Sequence, residues 1–118
     1  MPIRDTLFSD IDSLDPDRFA AHLADDVRFR FGNAPPVVGR DAVRDTWAEF
    51  CTTVDGVEHR PVGQWDVGDA VVAEAEVVYT RKGGDRVTVP VVTIYRDGGD
   101  GLIEDYRVFI DLAPLFAS

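Results

Sequence analysis

The second half of the chain consists of four β-like segments with very short connections, and this feature most restricts the possible folds. Parallel neighbours need a crossover of about a dozen residues or more, so such short connections allow only antiparallel pairing. The sequence therefore predicts a four-stranded antiparallel meander. The predicted strands run from Val57 to Val67, from Ala70 to Lys82, from Asp85 to Asp97 and from Leu102 to Leu112. The turn signals between them are Gly68-Asp69, Gly83-Gly84 and the run from Asp97 to Gly101.

The first half of the chain has the three- to four-residue apolar period of helices. The pattern predicts one helix from Ile3 to Leu14, a second that starts at Asp15-Pro16 and ends at Asp25-Asp26, and a third from about Ala42 to Thr53. Between the second and third helices, apolar residues from Val27 to Phe31 alternate with arginines, which indicates a half-buried strand. The fold class that follows is α+β in a single domain, residues 1–118. We expect a cone-shaped, curved antiparallel sheet with three N-terminal helices packed on its concave face.

Charge and composition exclude several classes of protein. Hydrophobic residues make up 45% of the chain, so it is too apolar to be disordered. The net charge of −10 disfavours binding to nucleic acid and to anionic membrane surfaces. Apolar runs are too short to span a bilayer, and residues 1–5 do not begin a secretory signal, so we expect a cytoplasmic protein.

Metal and cofactor sites are not expected either. The chain has two histidines and one cysteine, without the close spacings typical of zinc ligands. His22 lies near Asp25 and Asp26, but this signal is weak, and we predict no metal and no cofactor. Cys51 lies in an apolar helical stretch, where an inert buried thiol is the usual case.

Five short motifs along the chain together resemble one known family. They are the runs from Leu23 to Val27, Gly39 to Val43, Trp65 to Asp69, Val78 to Arg81 and Gly101 to Leu112. With the order of the elements, they resemble the nuclear transport factor 2-like superfamily, and within it the SnoaL-like group of polyketide cyclases, ketosteroid isomerase and limonene epoxide hydrolase. The resemblance covers nearly the whole chain and implies a cystatin-like roll around a small pocket, with dimerisation through the outer sheet face. The fold serves enzymes, ligand binders and interaction modules alike, so function has to be argued from the pocket.

The catalytic patterns of two relatives are missing from this sequence. Against ketosteroid isomerase, Phe31 occupies the position of the catalytic base and Leu7 that of the oxyanion tyrosine. Against limonene epoxide hydrolase, Val108 occupies a carboxylate position, and the earlier strand offers Ala75 and Val77. Neither specific activity is therefore expected.

The remaining polar candidates are few. His59 shares strand parity with Val57 and Trp65, so it is the candidate catalytic acid or base, because histidine changes charge near neutral pH. The alternative is an ordinary core histidine. Asn33 is a candidate ligand donor at the pocket rim, with turn stabilisation as its alternative. The predicted apolar lining of the pocket consists of Phe19, Phe31, Trp47, Phe50, Trp65, Tyr79 and Tyr106.

Strand parity also predicts which side chains face the pocket. In the second long strand the residues from Val71 to Tyr79 at every second position form the inner face, with Glu74 and Glu76 outside. Asp105, Arg107 and Asp111 are expected to point away from the pocket. For the strand from residue 85 to 97, the pattern leaves open which face is inward.

Two functional classes remain open at this stage. One is an enzyme of the cyclase, isomerase or hydrolase type that acts on a small hydrophobic carbonyl or epoxide compound, with His59 as acid or base. The other is a non-catalytic ligand-binding or accessory dimerisation domain. In both, the partners are a small apolar molecule and a second copy of the chain.

Overall fold

A computed structural model describes residues 6–116 and contains four helices and six strands within that range. The helices are α1 (Leu7–Asp12), α2 (Pro16–Ala20), α3 (Arg40–Cys51) and α4 (Ala113–Phe116). The strands are β1 (Leu23–Phe31), β2 (Val37–Val38), β3 (Val54–Val67), β4 (Ala70–Arg81), β5 (Arg86–Asp97) and β6 (Ile103–Ile110). The predicted start of the first helix at Ile3 lies outside the described residues.

All six strands form one curved sheet in the order β2-β1-β6-β5-β4-β3. The pairs from β3 to β6 are antiparallel, so the predicted meander is confirmed. The pair β1–β6 is parallel, which is possible because the whole of the intervening chain serves as its crossover. The fold is α+β, as predicted, with a sheet that is mostly rather than wholly antiparallel.

The second helix is shorter than its sequence pattern indicated. Leu23 begins β1, and Asp25 and Asp26 lie within that strand rather than at the end of a helix. The reason is tertiary: the backbone N–H of Ile103 donates to the carbonyl oxygen of His22 at 2.8 Å, and Leu23 pairs with Ile103. The β1–β6 ladder then shifts register before Arg28. Both aspartates are exposed beside this irregularity.

The core lies between the inner face of the sheet and helices α1 to α3. The inner face of β4 is as predicted, with Val71, Ala73, Ala75, Val77 and Tyr79 all buried. On β5 the structure decides the open question, because the buried side chains are those at alternate positions opposite β4. These are Val89, Val91, Thr93 and Tyr95.

The position of Trp65 differs from the prediction because β3 contains a β-bulge. Pro61 pairs with Ala75 and Gly63 with Glu74, so Val62 is an extra residue and the parity of the strand changes there. After the bulge Trp65 pairs with Val72 on the outer face, and 53% of its surface is exposed. Trp65 therefore does not line the pocket.

None of the helices within residues 6–116 has both the length and the apolar composition needed to cross a lipid bilayer.

Candidate functional site

A narrow cavity opens between the inner face of the sheet and helices α1, α2 and α3. Its free volume is about 30 Å³, enough for about two water molecules. Six of the residues predicted to line the pocket surround it: Phe19, Phe31, Trp47, His59, Tyr79 and Tyr106. Five lining residues were not predicted: Ile11, Phe29, Val91, Thr93 and Val108. The wall is mainly aromatic and aliphatic, with hydroxyl and imidazole groups among the apolar side chains.

Two further predicted ligand-binding residues lie outside the cavity. Phe50 packs behind its wall, with its ring 5.2 Å from that of Trp47 and 5.2 Å from that of Phe31. Asn33 is exposed and borders a depression on the other side of the sheet, next to Arg30. It therefore does not lie at the rim of this cavity.

His59 is held against Asp12 by two hydrogen bonds. The ring atom Nδ1 lies 2.6 Å from Oδ1 of Asp12, and the backbone N–H of His59 donates to Oδ2 at 2.8 Å. Phe8 stacks on the imidazole ring, with 4.4 Å between ring centroids. A carboxylate oxygen accepts hydrogen bonds, so Nδ1 is the donor in this contact and Nε2 is the ring nitrogen left to accept one. Both side chains are largely buried.

This arrangement is that of a general base oriented by a carboxylate. In such pairs the carboxylate fixes the tautomer and stabilises the imidazolium that forms when the base takes a proton. Sequence analysis missed Asp12. The sequence pattern that could have indicated Asp12 is its position four residues after Phe8, which places both side chains on one face of α1.

Two tyrosines supply hydroxyl groups to the same cavity. Burial raises the pKa of Tyr79 well above its ordinary value, and the negative charge of Asp12 adds to the effect. Burial also raises the pKa of Tyr106, although a hydrogen bond with Thr93 opposes the shift. Both phenols therefore stay protonated at neutral pH and can donate hydrogen bonds but not act as bases.

The other titratable candidates lie away from the cavity. His22 binds Asp10 at 2.7 Å, and Asp10 also accepts two hydrogen bonds from Arg18, so this cluster ties α1 to α2 and to the start of β1. Burial raises the pKa of Cys51 to about 11, which keeps it a thiol. Within residues 6–116, no three His, Cys, Asp or Glu side chains are grouped so as to hold a metal ion.

The charged residues of the last strand point away from the cavity, as strand parity predicted. Asp105 and Arg107 lie on the outer face of β6, where Asp105 also contacts Arg96 at 3.4 Å. Asp111 follows the strand and accepts a hydrogen bond from the backbone N–H of Ala113 at 3.0 Å. These groups stabilise the outer face and the start of α4.

Comparisons with known proteins agree with the fold described above. The family model described as "SnoaL-like domain" matches residues 5–106. No curated protein sequence matches the chain. A protein of ketosteroid isomerase-like fold from Catenulispora acidiphila, in complex with trimethylamine, superposes with a TM-score of 0.83 at 19% identity, over 92% of this chain and 85% of that one.

Two other solved structures are similar. A putative SnoaL-like polyketide cyclase from Jannaschia sp. CCS1 has a TM-score of 0.81 at 22% identity, over 93% of this chain and 83% of its own. An LEH-like epoxide hydrolase from M. tuberculosis has a TM-score of 0.78 at 21% identity, over 95% and 82%. At these identities the likeness shows a shared fold, and it leaves the reaction to be argued from the cavity.

Proposed function

This chain belongs to the SnoaL-like domain family, and we propose that it is a proton-transfer enzyme that acts on a small hydrophobic carbonyl compound. His59 is the acid or base. The observation that carries the proposal is the contact between His59 Nδ1 and Asp12 Oδ1 at 2.6 Å, made by a histidine that lines the cavity. His22 makes a similar contact with Asp10, but only His59 of the two histidines lines the cavity.

The chemistry follows from the groups present. Nε2 of His59 takes a proton from the carbon next to the carbonyl group, the C–H electron pair moves toward the carbonyl oxygen, and an enolate forms. Asp12 stabilises the resulting imidazolium. Return of the proton to another carbon isomerises the substrate. In a cyclisation, the enolate carbon instead bonds to a second carbonyl carbon, the π electron pair of that carbonyl moves to its oxygen, and the alkoxide takes the proton from the imidazolium of His59. No oxidant or reductant is needed for either reaction.

The test measures proton abstraction without knowledge of the natural substrate. Cyclopentanone is incubated with the protein in heavy water, and loss of its α-proton signal is followed by NMR. We expect exchange faster than in buffer alone, and His59→Gln should slow it by about a hundredfold or more, the usual contribution of a general base. Asp12→Asn should slow it too, because an amide favours the wrong tautomer.

The control for both variants is Trp65→Phe, since Trp65 lies on the outer face of the sheet. Equal exchange by the wild type, His59→Gln and Asp12→Asn would contradict the proposal. Hydrolysis of cyclopentene oxide, measured on the same variants, tests an epoxide as the other substrate class.

The second candidate function is a non-catalytic ligand-binding or accessory dimerisation domain, and the small free volume of the cavity favours an accessory role. About 30 Å³ is left between the aromatic side chains, so a substrate or any other ligand larger than about two water molecules has to displace some of them. Trimethylamine, the molecule bound by the relative from Catenulispora acidiphila, is a suitable second probe. Binding of either probe without α-proton exchange would support this candidate.

We also propose that the chain forms a homodimer through its outer sheet face. Phe109 on β6 is about half exposed there, beside half-buried Val92 and Ile94 on β5, and these three side chains form an apolar strip. Glu74 and Glu76 on β4 lie on one side of the strip, and on the other side are Arg28 and Arg30 on β1, with Arg107 and Asp105 on β6. A twofold axis parallel to the strands would place the acidic side of one copy against the arginine-rich side of the other. A cytoplasmic location remains a prediction.

A further inference from the structure

The indole N–H of Trp47 is a buried hydrogen-bond donor for which residues 6–116 provide no acceptor. Trp47 lies on α3, only 5% of its surface is exposed, and its ring lines the cavity. Buried donors in native proteins are nearly always paired, because an unpaired one loses its bond to water without replacement. The exception at this position calls for a physical reason.

The neighbours of Trp47 explain why the protein itself supplies no partner. Three phenylalanine rings surround the indole: Phe50 stacks on it at 5.2 Å, and Phe19 and Phe31 meet it edge-on at 5.9 and 6.2 Å. None of these side chains has an acceptor atom. They hold the ring in place, so the N–H cannot readily turn toward a polar group elsewhere. Trp47 also lines the cavity, where a bound molecule could supply the missing acceptor.

We infer that the indole N–H of Trp47 donates a hydrogen bond to the carbonyl oxygen of a ketone bound in the cavity. The inference depends on the proposed function and narrows its ligand class. Indole is a donor only, so it selects a group that accepts, and a ketone oxygen accepts without requiring a partner for a proton of its own. As His59 removes a proton from the neighbouring carbon, negative charge builds on that oxygen, and the bond from Trp47 strengthens.

The experiment compares two probes of the same shape, cyclopentanone and methylenecyclopentane, of which only the ketone accepts a hydrogen bond. The chain contains two tryptophans, so NMR of the indole N–H groups gives two signals. The Trp65→Phe variant assigns them. We expect the ketone to move the Trp47 indole proton downfield and the alkene to leave it near its original position, with exposed Trp65 as the internal reference.

A variant gives the second measurement. Trp47→Phe keeps an aromatic ring and removes the N–H, and we expect it to weaken ketone binding by about three- to tenfold, the value of one neutral hydrogen bond. Its affinity for the alkene should change less. The wild-type NMR titration needs no variant, so it decides the question even if Trp47→Phe does not fold.

Three results would overturn the inference. One is a ketone that shifts signals of other cavity residues and leaves the Trp47 indole proton unmoved. Another is the same shift with both probes, and the third is no ketone binding at millimolar concentration. The proposed function fails differently: the ketone would bind and move the Trp47 signal, yet its α-protons would not exchange in heavy water.

Discussion

At the scale of single residues, the chemistry of the cavity depends on the protonation states that burial imposes. Tyr79 and Tyr106 remain donors because burial raises the pKa of each phenol. Asp12 accepts a hydrogen bond from Nδ1 of His59, which leaves Nε2 as the nitrogen that can accept one. An apolar wall therefore contains one base and a few donors, a division of roles suited to moving a proton next to a carbonyl group.

Cys51 gives a residue-scale prediction from the same physics. Its pKa is raised from 9.0 to about 11 by burial, so the thiolate fraction near neutral pH falls by roughly a hundredfold. We expect iodoacetamide to alkylate Cys51 of the folded protein about a hundredfold more slowly than the same cysteine in urea-unfolded protein. Mass spectrometry of timed samples measures both rates. Equal rates would show that the thiol is neither buried nor shifted.

At the scale of elements, helix α1 connects the site to the rest of the fold through two aspartates, Asp10 and Asp12, that lie two residues apart and so point to different sides of the helix. Asp12 binds His59 on β3, whereas Asp10 binds His22 and Arg18. A helix of six residues is too short to be stable alone, so these contacts and its buried Leu7 and Ile11 hold it in place. The orientation of Asp12 toward His59 therefore depends on how α1 is anchored.

Asp10 gives a prediction on the pH dependence of stability. The hydrogen bond from His22 lowers its pKa below the ordinary 3.8, and Arg18 contributes in the same direction. A carboxyl group with a lowered folded-state pKa stabilises the fold above its unfolded pKa, and this stabilisation disappears as the pH falls through the folded value. We expect Asp10→Asn to lower the urea midpoint at neutral pH, with a difference from wild type that shrinks at about pH 3.

The matched control is Asp26→Asn, which changes an exposed carboxylate at the irregularity in β1. Its urea midpoint should stay close to wild type at both pH values. A difference between Asp10→Asn and wild type that stays constant with pH would contradict the assigned role of Asp10.

At the scale of the whole molecule, the two faces of the curved sheet differ in what they are built to contact. The inner face builds the cavity, and the outer face carries the apolar strip around Phe109 with charges of opposite sign on either side. If that strip is a dimer interface, assembly leaves the cavities on the far side of each sheet from the partner. Dimerisation and the chemistry of His59 can then be altered separately.

Phe109→Asp tests this arrangement. A charge in the middle of an apolar contact leaves it buried and unpaired, so we expect the variant to be a monomer by light scattering at a concentration where the wild type is a dimer. Phe116→Asp, on α4, is the control, because it changes a comparably exposed phenylalanine outside the strip. A wild-type monomer at micromolar concentration, or a dimeric Phe109→Asp variant, would contradict the proposal.

The sequence alone determined the parts of this protein that depend on local periods and turns. The meander from β3 to β6, the inner face of β4 and the strand residues of the cavity follow from alternation and short connections. Phe19 and Trp47 follow from the apolar period of helices. These features are local because a residue's face in a regular strand or helix is set by its neighbours. His59 belongs to this group, since its parity pointed inward.

Only the tertiary structure decided the rest, because each remaining feature joins residues that are distant along the chain. The parallel pairing of β1 with β6 shortened α2, and the extra residue Val62 turned Trp65 outward. Asp12 meets His59 across 47 residues. A periodic pattern along the chain does not predict such pairings, because the free energy that stabilises them comes from contacts that exist only once the helices are packed on the sheet.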